Sequence, residues 1–390
     1  MNILKFSKYP PIEGGESSKA YWRSKAIGER KNKIFLVTNA FEVEENCRIA
    51  LTGKDLEQYQ PKNVKVFNTS PFEMPSFFPS FNPMTEKLIS KGIEVIENND
   101  IDLIEGSYLM PYCFAAHYLA KEFKKPLVIT HAGSDMTRIL NSEHYYPALK
   151  RVINSADRII TFKGGSPMFT QLGVKKKNIV ELSSALNSKA FSPNVVKVRL
   201  SKFFGKKPGG AILTHFGKIH KSKGIYELID SASKVKGDFS ILFFGAGKNK
   251  ADFQKFAANK GLSSRVFFHD FVPPWIVPSI IKASDCLLSV EHNFGVEIHG
   301  PIMPREVLSV GKPVLVSNEI NLYHSLEEFD DGIIKVNPGN RKEYIEKLSF
   351  IVSNRIVLKK IGKNGREWVE KNNNFKKYID ETIGVYKSLI

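Results

Sequence analysis

"SPNVVKVRLSKFFGKKPGG", residues 192–210, is the stretch on which the fold turns. It is basic, carries Pro193 and Pro208, and closes on a glycine pair. That composition marks a connection between domains. On each side of it the same rhythm runs. Before it come the short apolar runs NILKF (2–6), KIFLVT (33–38), VKVF (64–67), DLIEG (102–106), PLVIT (126–130) and RIITF (158–162). After it come AILTHF (211–216), FSILFFG (239–245), RVFFH (265–269), CLLSV (286–290), PVLVS (313–317) and GIIKV (332–336). Runs of four to six apolar residues separated by helix-period segments read as buried parallel strands in βαβ units. Two successive sets predict an α/β protein of two doubly wound, Rossmann-like domains rather than one large sheet. The expected domains are 1–198 and 199–371. The end of the chain, REWVEKNNNFKKYIDETIGVYKSLI, has helical period broken at Asn372–Asn374. A helix interrupted there can turn and leave its own domain, so 372–390 is expected to pack back on the N-terminal one.

The 390 residues suffice for two full cores, and 42% hydrophobic with 25% charged residues is an ordinary globular balance. No apolar run approaches the ~18 residues that span a bilayer. The opening MNILKFSKYPPIEGG has too short an apolar part for a signal peptide. The cysteines Cys47, Cys113 and Cys286 lie far apart without metal spacing, which suits a reducing cytosol. The net charge of +17 calls for an anionic partner, or reflects a lysine-rich proteome.

Five stretches carry chemistry. In YPPIEGGESSKAYWRSKA (9–26), a Gly14–Gly15 loop leads from a strand into a helix whose first amides suit an anion. In HFGKIHKSKG (215–224), Lys218 and Lys223 follow a strand and precede a helix, a place to neutralise a diphosphate. LFFGAGKNK (242–250) turns through Gly245 and Gly247. In PLVITHAGSDM (126–136), His131 directly follows a strand, at the end where open α/β sheets bind ligands. In EIHGPIMPREVLSVGKPVLVS (297–317), Pro301 and Pro304 force an extended lead-in and place Glu306 in the first turn of a helix. A carboxylate there can accept from two neighbouring hydroxyls, as on a ribose, while Glu297 can face a second polyol. The sequences GxGxxG and GxxxxGK[ST] are absent, which removes the dinucleotide and Walker fingerprints. Asp-Ile-Asp at 100–102 opens an apolar strand and is not read as a metal site. The nine histidines show no paired spacing, so no metal is expected.

Taken in order, these segments resemble the retaining glycosyltransferases of family 4, which have the GT-B fold. The match runs almost end to end. It includes the Gly-Gly loop, YLAKEFKKPLVITHAGSD, ADRIITFKGGSPMFTQLGVKKKNIVELSSALNSKAFSP, the lysine pair, the Gly-x-Gly turn and the two glutamates before GKPVLVS. The resemblance implies two domains facing across a cleft, a nucleotide-sugar donor and no obligatory cofactor or metal. It implies that Lys218 and Lys223 hold the donor diphosphate and that Glu306 binds the ribose. Glu297 would contact the transferred sugar, beside His299, Gly300 and Pro301. His131 would meet the sugar, Gly15 the phosphate or acceptor, and Phe271 the base, with Gly217 and Gly245 in the donor loops. The chain departs from the family where the glutamates stand nine apart instead of eight. The added stretch VEHNFGV (290–296) makes Glu291 a rival for the first role.

SPFEMPSFFPSFNPM (70–84) carries Phe77, Phe78 and Phe81 among prolines, and Trp22 lies among cations at 18–33. Aromatics beside basic residues suit an anionic membrane interface. The acceptor expected is therefore a glycan or a lipid-linked molecule, and the location cytoplasmic, peripheral at the inner membrane face. Two other classes stay open: a nucleotide-sugar-binding protein without catalysis, and a basic nucleic-acid-binding protein. The second lacks any recognition module.

Overall fold

The structure is a computed structural model that describes all residues except 44–46, 71–83, 134, 137–141, 184, 294–301 and 321–331. The chain forms two compact units, Met1–Ala185 with Phe375–Ile390, and Leu186–Asn374.

The first unit is built on seven parallel strands: β1 (Asn2–Phe6), β2 (Lys33–Thr38), β3 (Val64–Asn68), β4 (Leu103–Ser107), β5 (Leu127–Thr130), β6 (Arg158–Phe162) and β7 (Ile179–Leu182). Their order is β3-β2-β1-β4-β5-β6-β7. The second unit has six parallel strands: β8 (Ala211–Phe216), β9 (Phe239–Phe244), β10 (Val266–His269), β11 (Cys286–Ser289), β12 (Val314–Ser317) and β13 (Ile333–Val336), in the order β10-β9-β8-β11-β12-β13. Both sheets are doubly wound. Each reverses its strand order once, between β1 and β4 and between β8 and β11, and ligands of such sheets bind outside those strand ends.

All twelve apolar runs form strands, within a residue of their expected ends. The additional strand, β7, lies at the sheet edge, where Ile179 and Val180 are half-buried and Glu181 is exposed. An edge strand needs no continuous apolar run, so its sequence carries little signal.

Each sheet buries its strands because helices cover its faces. In the first unit Leu4, Phe6, Val37, Ile104 and Ile129 pack with the helices Met84–Glu97 and Phe114–Glu122. In the second, Leu213, Ile241, Phe243 and Leu288 pack with Ile225, Leu228 and Ile229 of the helix Ile225–Ala232 and with Tyr344 and Leu348. On the opposite face, Ile212, Leu242, Phe244 and Phe267 meet Val198, Leu200, Phe203 and Phe204. The basic connection thus packs as part of the second unit, which begins at Leu186, ahead of the expected 198/199 division. Asn373 holds that start: its Oδ1 accepts from the Leu186 amide at 2.8 Å and its Nδ2 donates to the Leu186 carbonyl at 3.0 Å.

The helix breaks at Asn373–Asn374, and its continuation, Phe375–Lys387, packs on the helix Gly15–Gly28 and on β7 of the first unit. A buried polar network anchors it. Glu105 of β4 accepts from Arg23 and from the Tyr386 hydroxyl, with Lys5 Nζ at 3.4 Å. Arg23 Nη2 also donates to Tyr386 at 2.6 Å. Burial pushes the Glu105 carboxyl up, but Arg23 and Lys5 outweigh it and hold it at about 2.

Candidate functional site

In the second unit the reversal point lies between the ends of β8 and β11. After β8 the chain turns at Gly217, with φ +137°. The turn runs past exposed Lys218 to a short 3-10 turn, Lys221–Lys223. Gly224 follows with φ +65°, and the helix Ile225–Ala232 starts there. A β-carbon on Gly224 would stand 1.9 Å from the Val290 carbonyl oxygen. Only glycine lets this turn lie directly against the residue that follows β11. The contact brings Lys223 to Glu291, and the two form an ion pair with side chains 16% and 8% exposed. The described start of the added stretch, through Asn293, is tied down further. The His292 amide donates to the Ser222 carbonyl at 3.2 Å, and the Asn293 amide donates to Glu319 at 2.7 Å.

Gly245 and Gly247, after β9, serve packing. Their missing β-carbons would fall 1.7 Å from the Gly217 carbonyl and 2.2 Å from the Ile219 carbonyl. The bare backbone of one turn therefore supports the lysine turn. Phe271 is half-buried in the loop after β10.

Glu306 lies in the first turn of the helix Met303–Ser309, with Pro304 in its opening positions. The extended lead-in expected before Pro304 gives way to helix, since Met303 is already helical and Ile302 has αR angles, which a proline in the first turn of a helix permits. It is 6% exposed. Burial pushes its carboxyl up to about 7, against the pull of Arg305. A carboxylate this poorly solvated gains strongly from hydroxyl donors. Glu297, His299, Gly300 and Pro301 lie outside the described residues.

In the first unit, Gly14 (φ +107°) and Gly15 open the helix Gly15–Gly28 with no side-chain cap. His131 follows β5 and is buried. Its Nδ1 accepts from the Gly133 amide at 3.1 Å, so the proton sits on Nε2, which donates to Thr161 Oγ1 at 2.8 Å. Burial, with the Lys19 ammonium, holds the ring neutral with a pKa of about 3. Both nitrogens are thus engaged within the unit, and His131 organises the loop after β5. Asp135 does the same work, accepting from the amides of Leu109, Ala132 and Met136. Lys19, one turn into the first helix, acts electrostatically on Lys5, His131 and Asp135. Sequence reasoning passed over it, although it follows the glycine pair by one helical turn.

Trp22 requires a correction. Expected at a membrane or acceptor surface, it is 8% exposed, with Tyr21 packed edge-on at 4.9 Å. The helix carrying it is buried on nearly every side, because the sheet and the helix Phe375–Lys387 both cover it. Phe77, Phe78 and Phe81 lie outside the described residues. Asp102 accepts from the Asn2 amide at 2.7 Å and so ties the entry of β4 to β1. Among the described residues no cluster of His, Cys, Asp or Glu has the geometry to hold a metal. No described helix is long and apolar enough to cross a membrane.

Residues 197–368 match the family model of glycosyl transferases group 1, and residues 49–163 match that of the glycosyl transferase 4-like proteins. The chain belongs to the group 1 glycosyltransferases. It is 20% identical over 391 residues to an N-acetyl-alpha-D-glucosaminyl L-malate synthase of Bacillus anthracis, covering 98% of this chain and 96% of that one. It is 24% identical over 217 residues to a 2-deoxystreptamine glucosyltransferase of Streptomyces kanamyceticus, 54% of each chain. The crystal structure of HepE from Anabaena in complex with UDP-glucose has a TM-score of 0.69 at 17% identity, over 100% of both chains. That likeness is one of fold. The fold is GT-B, with two Rossmann-like domains.

Proposed function

We propose that this glycosyltransferase moves a sugar from a nucleoside-diphosphate donor to a glycan or lipid-linked acceptor, retaining the anomeric configuration. The observation that carries the reading is the Lys218–Lys223 turn set beside Glu291 at the reversal point of the second sheet. The larger share of the +17 charge also falls within Leu186–Asn374. A homologous fold solved with UDP-glucose supports a nucleotide sugar as donor.

In this reading Lys218 and Lys223 stabilise the charge that grows on the departing diphosphate, so the leaving group needs no metal. Glu306 takes the ribose hydroxyls. Glu291, in contact with Lys223, fills the role of the first glutamate and orients the lysine. The acceptor hydroxyl attacks C1 from the face the diphosphate leaves. The new C1–O bond forms as the C1–O–phosphate bond breaks, and the hydroxyl proton passes to a diphosphate oxygen. His131 acts through Gly133, holding the loop after β5. Peripheral contact with an anionic membrane rests on the basic charge and the 70–84 stretch, without Trp22.

The test is a melting-point screen with UDP, GDP and ADP and their sugars. Saturation at 100 times Kd adds about 2.7 kcal/mol of stability. Binding followed by transfer or hydrolysis supports the enzyme. Binding alone marks a donor-binding protein without catalysis, and a flat screen removes the reading.

A further inference from the structure

His215 stands near the end of β8, two residues before Gly217, and is 3% exposed. Its Nδ1 lies 3.1 Å from the Leu288 carbonyl oxygen on β11. A carbonyl only accepts, so Nδ1 carries the proton and donates. In the neutral ring Nε2 is then a bare lone pair. That nitrogen has no hydrogen-bond partner among the described residues. A β-carbon on Gly217 would come within 3.6 Å of it, so the room left by the absent side chain opens beside Nε2. The nitrogen itself is buried, so a ligand group reaches it only through the space beside Gly217.

We propose that His215 is a donor-binding residue of the lysine site and takes a hydrogen bond from a hydroxyl of the nucleotide sugar on Nε2. The inference rests on the donor reading above and adds to it a side chain that selects by chemistry. The charged groups facing His215 are Lys223 and Glu291, and the Phe243 ring packs 5.7 Å away. Burial holds the imidazole at about 4, aided by Lys223 and opposed by the Leu288 bond and Glu291. At neutral pH Nε2 therefore has no proton to give. A phosphate oxygen would meet it lone pair to lone pair, whereas a hydroxyl fits. Leaving a buried acceptor unmatched costs more than the bond returns when made, which gives the site its preference.

Two variants separate the halves of the ring. His215→Asn keeps an N–H for the Leu288 carbonyl and deletes the Nε2 position. His215→Gln places a polar atom near Nε2 instead. Titration calorimetry uses UDP-glucose, GDP-mannose and ADP-glucose, carried forward with whichever binds the wild type. His215→Asn should weaken that sugar nucleotide about tenfold or more, and His215→Gln should recover part of the loss. In long-range 1H–15N spectra of the wild type, the Nε2 signal should leave the free-lone-pair range on saturation. Equal affinity in His215→Asn, or an Nε2 signal that saturating ligand leaves unmoved, overturns the proposal and assigns the nitrogen to a buried water. The spectra need no variant, so a misfolded substitution does not protect the idea. A wild type that binds none of the three sugars sinks the donor reading as well. One that binds and tolerates His215→Asn sinks the inference about His215 alone.

Discussion

Lys223→Ala should cost both turnover and stability, and the two losses can be separated. The lysine is paired with Glu291, a carboxylate 6% exposed. Removing the cation leaves that charge buried without its partner. Breaking such a pair from one side costs about 3–5 kcal/mol. Because the Lys223 side chain keeps 16% exposure, the low end, about 3 kcal/mol, applies here. That is a large part of the ~5–15 kcal/mol that holds a domain together, yet it leaves the protein folded at 25 °C. The double variant Lys223→Met/Glu291→Gln removes both charges, and its stability should return to within about 1 kcal/mol of wild type. Turnover should not return. Losing one donor that stabilises a developing charge costs about 100-fold or more in kcat. The assays are urea unfolding and release of nucleoside diphosphate from the sugar nucleotide found in the screen. A double variant with near wild-type turnover would remove Lys223 from the chemistry. A single variant of unchanged stability would show the ion pair to be worth nothing.

Gly224→Ala puts a β-carbon 1.9 Å from the Val290 carbonyl at a φ of +65°, so stability should drop by about 2 kcal/mol or more and turnover should fall with it; a urea midpoint equal to wild type refutes the packing argument. Glu306, raised to about 7, should bind donor better as pH climbs from 6 to 8, because hydroxyls bond to the ionised form. Its folded value lies above the unfolded 4.5, so ligand-free stability should decline across pH 4.5 to 7, and Glu306→Gln should flatten both profiles. Glu105 runs the other way. Held at about 2, it contributes stability that is fully present above pH 4.5 and fades as pH falls toward 2; an acid-unfolding curve unaltered by Glu105→Gln would contradict this. Trp22→Ala should lower stability by about 3 kcal/mol or more while leaving co-sedimentation with anionic vesicles unchanged; a loss of vesicle binding in a folded variant would return Trp22 to the surface role.

The sequence by itself determined the strands, because a buried parallel strand announces itself locally as four to six apolar residues in a row. It determined that Glu306 falls in the first turn of a helix, through Pro304, and the break at Asn372–Asn374, though not the helical turn already begun at Met303. It could not show β7, whose edge position spares it an apolar run, nor that the connection at 192–210 folds as part of the second unit. Only tertiary structure decided what the named side chains do. Trp22 looked like a surface residue until folding left it 8% exposed, on a helix packed against both the sheet and a helix from the far end of the chain. Gly245 has a packing duty that no local pattern reports, since the Gly217 carbonyl fills the place of its side chain. Glu291 is 68 positions from Lys223, and no local pattern reports a contact at that separation. Periodicity records which face of an element is buried, whereas partnership depends on strand order and on which turns meet at the reversal of a sheet.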